Sequence, residues 1–147
     1  MRVMHEKTVD LLHRTRSFAV SVNSLCDRLP TEASAQRIGR KLRASVKAIA
    51  VGYKDVCVSR SPEEFMARIS VVARESKRAR AHVQMLLQLN HMTIEATRDV
   101  LLEARALEAI FRKSRDTAKR RRALSKRAHG ERMDSRRNPE STPSTTC

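Results

Sequence analysis

Apolar residues recur every three, four or seven positions through four long segments of this chain, and only short breaks separate them. That spacing stacks side chains along one side of an α-helix and does not fit the alternation of a half-buried strand. In the first segment, about Val3 to Arg28, Leu11, Phe18 and Leu25 make one row. Leu12, Ala19 and Cys26 make a second row one place later, and Val9 and Val22 fill in between. The second segment, about Glu32 to Cys57, carries Ile38, Leu42, Val46, Ile49, Tyr53 and Val56 on one face. The third, ending near Leu89, turns Phe65, Ile69, Val72, Ala79, Val83 and Leu86 inward, and the fourth does the same with Val100, Ala104, Leu107 and Phe111. Gly (3) and Pro (4) are scarce, which leaves little to interrupt helices.

The breaks carry recognisable start and stop signals. Leu29-Pro30-Thr31 ends the first helix, because proline cannot continue it, and Thr31 is placed to cap the second. Ser61-Pro62-Glu63-Glu64 reads as a capping box: Ser61 accepts from the Glu64 amide, Glu64 reaches back, and Pro62 occupies the first helical position, where a missing N–H costs nothing. Asn90-His91-Met92-Thr93 is a short turn with Thr93 as the next cap. Four amphipathic helices with short connections predict an all-α, antiparallel up-down-up-down four-helix bundle. The bundle is expected over 1–118. Residues 119–147 are expected to be a basic, then Ser/Thr/Pro-rich tail, mostly disordered, with the fourth helix able to continue past Lys119 as a solvated extension up to about Arg127. The double row on the first helix fits either a broad core-facing stripe or one row in the core and one against a second subunit.

The balance of charge points to a partner. Lys and Arg number 31 against 16 Asp and Glu, a net charge of +15 in 147 residues. Such an excess repels itself and attracts polyanions, with nucleic acid first and an anionic membrane surface second. No apolar run is long enough to span a bilayer, and the N-terminus lacks a signal-peptide core, so a cytoplasmic protein is expected. Three Phe, one Tyr and no Trp leave few rings on which to stack single-stranded bases, so a nucleic acid would be held by its backbone. Cys26, Cys57 and Cys147 stand far apart without a CxxC pair, which argues against a zinc site or a disulfide framework.

An ordinary solvated helix face intersperses signs, because like charges three or four apart repel by a few tenths of a kcal/mol. The fourth helix does this with Arg98, Asp99, Glu103, Arg105, Glu108 and Arg112. The second does not: Ala33 to Lys54 holds no acid, yet it holds Arg37, Arg40, Lys41, Arg43 and Lys47. The third helix clusters Arg74, Lys77 and Arg78 opposite its apolar stripe, with Arg80 on the flank and Glu75 the sole acid after the first turn. A third basic element is Lys119-Arg120-Arg121-Arg122, followed by Lys126 and Arg127. The candidate phosphate contacts are Arg37, Arg40, Lys41, Arg43 and Lys47 on the second helix, Arg74, Lys77, Arg78 and Arg80 on the third, and Lys119, Arg120, Arg121 and Arg122, which would position the chain without reading bases. No GxGxxG, P-loop or HExxH is present, the five histidines are scattered, and no nucleophile–base pair can be nominated. A non-enzymatic protein without metal or cofactor is therefore expected.

From about Leu29 to Lys113 the chain resembles the bacterial four-helix-bundle proteins encoded in intervening sequences of large-subunit ribosomal RNA genes. It is more similar still to their relatives, the accessory variability determinant proteins of diversity-generating retroelements. The residues that carry this are Leu29-Pro30, Ile38-Gly39-Arg40-Lys41-Leu42, Ile49-Ala50-Val51-Gly52, Ala79-Arg80, the turn Leu89-Asn90-His91-Met92-Thr93, and Glu103 with Phe111 eight residues on. Arg105 and Phe111 stand where the family has Gly and Trp, and Gln84 replaces a second arginine. The resemblance implies a homopentamer of basic bundles that binds a reverse transcriptase and its template RNA and has no catalysis of its own. The alternatives are an intervening-sequence-type bundle, or a structural bundle whose basic face docks an acidic protein.

Overall fold

The computed structural model of the protein describes residues 6–137, in four helices: α1 Glu6–Asp27, α2 Ala33–Cys57, α3 Pro62–Gln88 and α4 Ile94–Arg137. Val3, His5, Cys147 and the Ser/Thr/Pro-rich end from residue 138 lie outside the described residues. Each helix packs antiparallel on its sequence neighbour, α4 returns to α1, and the backbones of the two diagonal pairs stay apart. The architecture is the all-α up-down-up-down bundle that the apolar spacing predicts.

The core is made from the predicted stripes. All six stripe residues of α2 are buried, as are Ile69, Val72, Ala79, Val83 and Leu86 of α3 and the four of α4. Phe65 is only half-buried and packs on the edge of this core. Tyr53 and Phe111 meet at its centre with rings 5.3 Å apart and tilted by 50°, and burial pushes the Tyr53 phenol up to about 12. Both rows of α1 face inward. Phe18, Val22, Leu25 and Cys26 are buried, and Leu11, Leu12 and Ala19 pack partly buried against the same core. The double row is thus one broad stripe. Val9 departs from expectation and is exposed. Thr15 takes a core position and donates its hydroxyl to the Leu12 carbonyl at 3.0 Å.

Two glycines set how closely helices approach. A Cβ at Gly39 would lie 2.7 Å from Leu29 Cδ1, and one at Gly52 would lie 2.9 Å from Val72 Cγ2. The first brings α2 against the end of α1, where the Cys26 thiol also donates to the Gly39 carbonyl at 3.8 Å. The second brings α2 against α3.

The helix ends follow the local signals with three differences. Ser61 Oγ accepts from the Glu64 amide at 3.1 Å and Pro62 opens α3. The Glu64 carboxylate, however, accepts from the Arg60 amide at 2.6 Å, one residue before the cap, and also pairs with Arg68. Thr93 caps α4 by accepting from the Ala96 amide at 3.2 Å. Thr31 does not cap α2; Glu32 holds that position without a side-chain bond, and Gln36 Nε2 donates back to the Pro30 carbonyl at 3.0 Å. The largest difference is at the C-terminus. α4 runs unbroken to Arg137, ten residues past the point where disorder is expected to begin. Ala, Leu, Arg and Lys are good helix formers, no proline intervenes before Pro139, and cations near a helix C-terminus complement its dipole.

Between α3 and α4 the chain turns through Asn90 at φ 58°. The Asn90 amide donates to the Leu87 carbonyl at 3.0 Å and the His91 amide to Leu86 at 2.9 Å, which is the Schellman arrangement. His91 then reaches the first turn of α2, with Nε2 3.2 Å from Ser34 Oγ. Asn tolerates the left-handed region because its short amide bonds locally, whereas a β-branched residue is strained there by about 1–2 kcal/mol. Asn90→Gly should leave thermal stability unchanged or slightly raised, and Asn90→Val should lower it by about 1–2 kcal/mol in denaturant titration. Equal midpoints for the two variants would show that the turn tolerates any backbone at this position.

Candidate nucleic-acid interface

The bundle sorts the predicted cations into three environments. On α2, Arg37, Arg40, Lys41 and Lys47 are exposed, and none makes an ion pair among the described residues. Arg40 and Lys47 point directly away from the core, while Arg37 and Lys41 sit on the flank toward α3. The flanks follow from contacts: Gly39 lies against α1 and Gly52 against α3, and Lys41 and Gly52 share the latter side at 100° per residue. On α3 the facing flank carries Glu75, Arg78 and His82, with Arg74 beside them turned outward.

Glu75 is 9% exposed and draws both arginines, Arg78 at 2.9 Å and Arg74 at 4.0 Å. Both arginine side chains remain more than half exposed. One carboxylate therefore compensates half of this pair's charge without covering either cation. His82 sits half-buried beside them. Burial first, then the charge of Lys41, holds its imidazole below the ordinary value, and its Nδ1 has no hydrogen-bond partner among the described residues. The surface across α2 and α3 thus presents Arg37, Arg40, Lys41, Lys47, Arg74 and Arg78 on one side of the bundle.

Three other predicted contacts fall elsewhere. Arg43 lies on the α1 side of α2 and pairs with Asp27 at 2.6 Å. Lys77 turns toward α4, where its charge helps to lower the Glu108 carboxyl. Arg80 is a bridge between helices rather than a free cation. Its Nε and Nη2 donate to the two Glu108 oxygens at 2.7 and 3.1 Å, and Nη1 donates to Gln84 Oε1 at 2.8 Å. The Arg80 hydrogen bond, ahead of any other influence, holds the Glu108 carboxyl below its ordinary value. Arg14 makes the matching bridge from α1 to Glu103 of α4 at 2.5 Å. Helical spacing makes Glu103 and Glu108 look like members of an alternating solvated face. Only the packing of α1 and α3 on either side of α4 reveals them as bridge partners.

Lys119, Arg120 and Arg121 are exposed at the opposite end of the bundle from Arg37 and Lys41, where α4 passes the start of α3. Arg122 is half-buried, with Nη1 3.7 Å from Met66 Sδ. Between this stretch and the α3 N-terminus lies a cleft of about 750 Å³ lined by Phe65, Lys113, Arg121, Arg122 and Lys126. Cys26 is buried and Cys57 half-buried, and burial raises both thiols, which makes them poor nucleophiles. No protein-family model, no curated protein and no solved structure matches the chain. No helix among the described residues is long and apolar enough to cross a membrane.

The bridge and the open face should separate by mutation. With side chains only 23% and 16% exposed, the Arg80–Glu108 pair is shielded enough to matter. Arg80→Met should cost about 1–3 kcal/mol at neutral pH, because it strands a half-buried carboxylate. A carboxyl whose folded value is lowered stabilises the protein above its ordinary value of 4.5 and loses that contribution as pH falls through the folded value. The difference between wild type and Arg80→Met should therefore shrink below pH 4.5 in pH-dependent thermal melts. Lys47→Ala, on the open face, should shift stability by less than about 0.5 kcal/mol.

Proposed function

We propose that this chain is a non-enzymatic nucleic-acid-binding protein that holds phosphates on the α2–α3 face and along the basic end of α4. The observation that carries the reading is the run of Arg37, Arg40, Lys41 and Lys47. These cations share one helix, are exposed, and have no ion-pair partner among the described residues. Repulsion on such a face is relieved by an external polyanion, and a phosphate backbone offers one with repeating charge. The bundle has few aromatic rings, and Tyr53 and Phe111 are buried in the core, so base stacking is not available as the main source of affinity.

The resemblance over residues 29–113 extends this proposal to a role: an oligomeric accessory, pentameric by that likeness, that helps a retroelement reverse transcriptase and its template RNA. Two features support it. Asn90 adopts the left-handed backbone that a glycine at that turn position would supply. Phe111, in place of a tryptophan, fills the centre of the core.

The test is binding of the purified chain to labelled structured RNA and duplex DNA across a salt series. Log affinity should fall linearly with log salt, by about 0.9 in slope for each phosphate neutralised on a duplex. Arg40→Glu with Lys41→Glu should weaken binding at least tenfold at low salt and lower the slope by about 2. The thermal midpoint should not fall, since both side chains are exposed. Structured RNA bound more tightly than duplex DNA would favour the template-RNA role. If neither nucleic acid binds at low salt, the phosphate reading is wrong, and an acidic protein becomes the partner that explains the face.

A further inference from the structure

Of the four aromatic rings in the chain, Phe18, Tyr53 and Phe111 are buried in the core. The fourth, Phe65, is half-buried and lines the cleft of about 750 Å³ between the start of α3 and the basic stretch of α4. That volume lies within the usual span of small-molecule sites, about 300–1,000 Å³. Lys113, Arg121, Arg122 and Lys126 line the same cleft, and Glu63 is the one carboxylate among its lining residues. None of these five charged side chains makes an ion pair among the described residues. Glu64 and Asp116 are already taken, by Arg68 and Arg115. The start of α3 adds little of its own. Pro62 has no N–H, the Glu64 amide donates to Ser61 Oγ, and the Phe65 amide donates to the Ser61 carbonyl. The cations of α4 therefore set the sign of the cleft.

A ring and a group of unpaired cations in one cleft narrow the ligand from both ends. A carboxylate or a lone phosphodiester brings a single negative charge and leaves most of the cations without a partner. An inorganic polyphosphate satisfies the cations but leaves Phe65 uncovered. Arg121, Arg122 and Lys126 lie within about 8 Å along the helix axis, a span that suits phosphates joined in a chain. Guanidinium groups grip phosphate oxygens in pairs. Arg122 is held in place by its contact with Met66, with Nη1 3.7 Å from Sδ, while its charge stays unpaired. A nucleobase offers the flat face that stacks on an exposed ring, whichever base it is.

We propose that this cleft binds a free nucleoside di- or triphosphate, with the base against Phe65 and the phosphates on Arg121, Arg122 and Lys126. The proposal rests on the phosphate-binding reading above, because Arg121 and Arg122 serve both. It adds a ligand that the open α2–α3 face does not share, since no aromatic ring is exposed there.

The test is equilibrium dialysis of the full chain with radiolabelled ATP at low salt and without divalent cations, with adenosine and inorganic triphosphate as competitors. Structured RNA is measured beside it. ATP should bind once per chain, and each competitor should be at least tenfold weaker. Phe65→Leu keeps apolar volume at the edge of the core and removes only the ring. It should weaken ATP fivefold or more and leave triphosphate within twofold. Two double variants then remove equal charge from exposed positions, so both should keep the thermal midpoint. Arg121→Gln with Lys126→Gln should weaken ATP tenfold or more, whereas Arg37→Gln with Lys47→Gln should leave it within twofold. Equal losses in the two double variants, triphosphate bound as tightly as ATP, or Phe65→Leu binding ATP like wild type would each overturn the proposal. RNA bound without ATP would overturn it alone. A chain that binds neither would remove the phosphate-binding reading along with it.

Discussion

Like charges on α2 and α3 push outward, and the apolar seam beneath them holds the helices together. The magnitudes decide the outcome. Each pair of like charges at helical spacing costs a few tenths of a kcal/mol, while each fully buried Leu, Ile or Val contributes roughly 1.5–3 kcal/mol. Leu42, Val46 and Ile49 of α2 and Ile69, Val72, Val83 and Leu86 of α3 are all essentially inaccessible. Such a core can carry an uncompensated basic surface and still fold. The close approach at Gly52 matters for the same reason, since it lets α2 lie deep against Val72.

The carboxylates then determine which cations remain available. Glu103 and Glu108 sit on the two flanks of α4 and each binds an arginine from a neighbouring helix, Arg14 and Arg80. Asp27 takes Arg43, and Glu75 is shared by Arg74 and Arg78. Among the described residues no acid pairs with Arg37, Arg40, Lys41 or Lys47. The open face thus arises as much from where acids are absent as from where bases are present.

Much of this was legible in the sequence, because helix faces obey a fixed period. The stripes of α2, α3 and α4 could be read from spacing alone, and Ser61-Pro62 and Thr93 announced their helices through local hydrogen bonding. What spacing could not supply was the identity of each flank's neighbour. Arg80 and Arg78 are two positions apart and equally basic, yet one bridges to α4 and the other faces α2. Lys77, grouped with Arg74 by composition, turns toward Glu108. The length of α4 was hard to read from the sequence for a different reason. Polarity signals that a segment does not pack, but it does not stop a helix, and Lys-, Arg- and Ala-rich sequence continues one well.

The four helices are not equally anchored. α2, α3 and α4 pack extensively in sequence, whereas α1 is held mainly by α2 and only lightly by α4, where Arg14 pairs with Glu103. α2 to α4 are joined by contacts close in sequence. α1 closes the bundle like the final stave of a barrel. Partial opening of the molecule should therefore begin at α1, exposing Leu107 and Phe111 while the basic surface on α2 and α3 keeps its shape. In such a design the part of the fold that can breathe and the part that presents charge are on opposite sides of the same core.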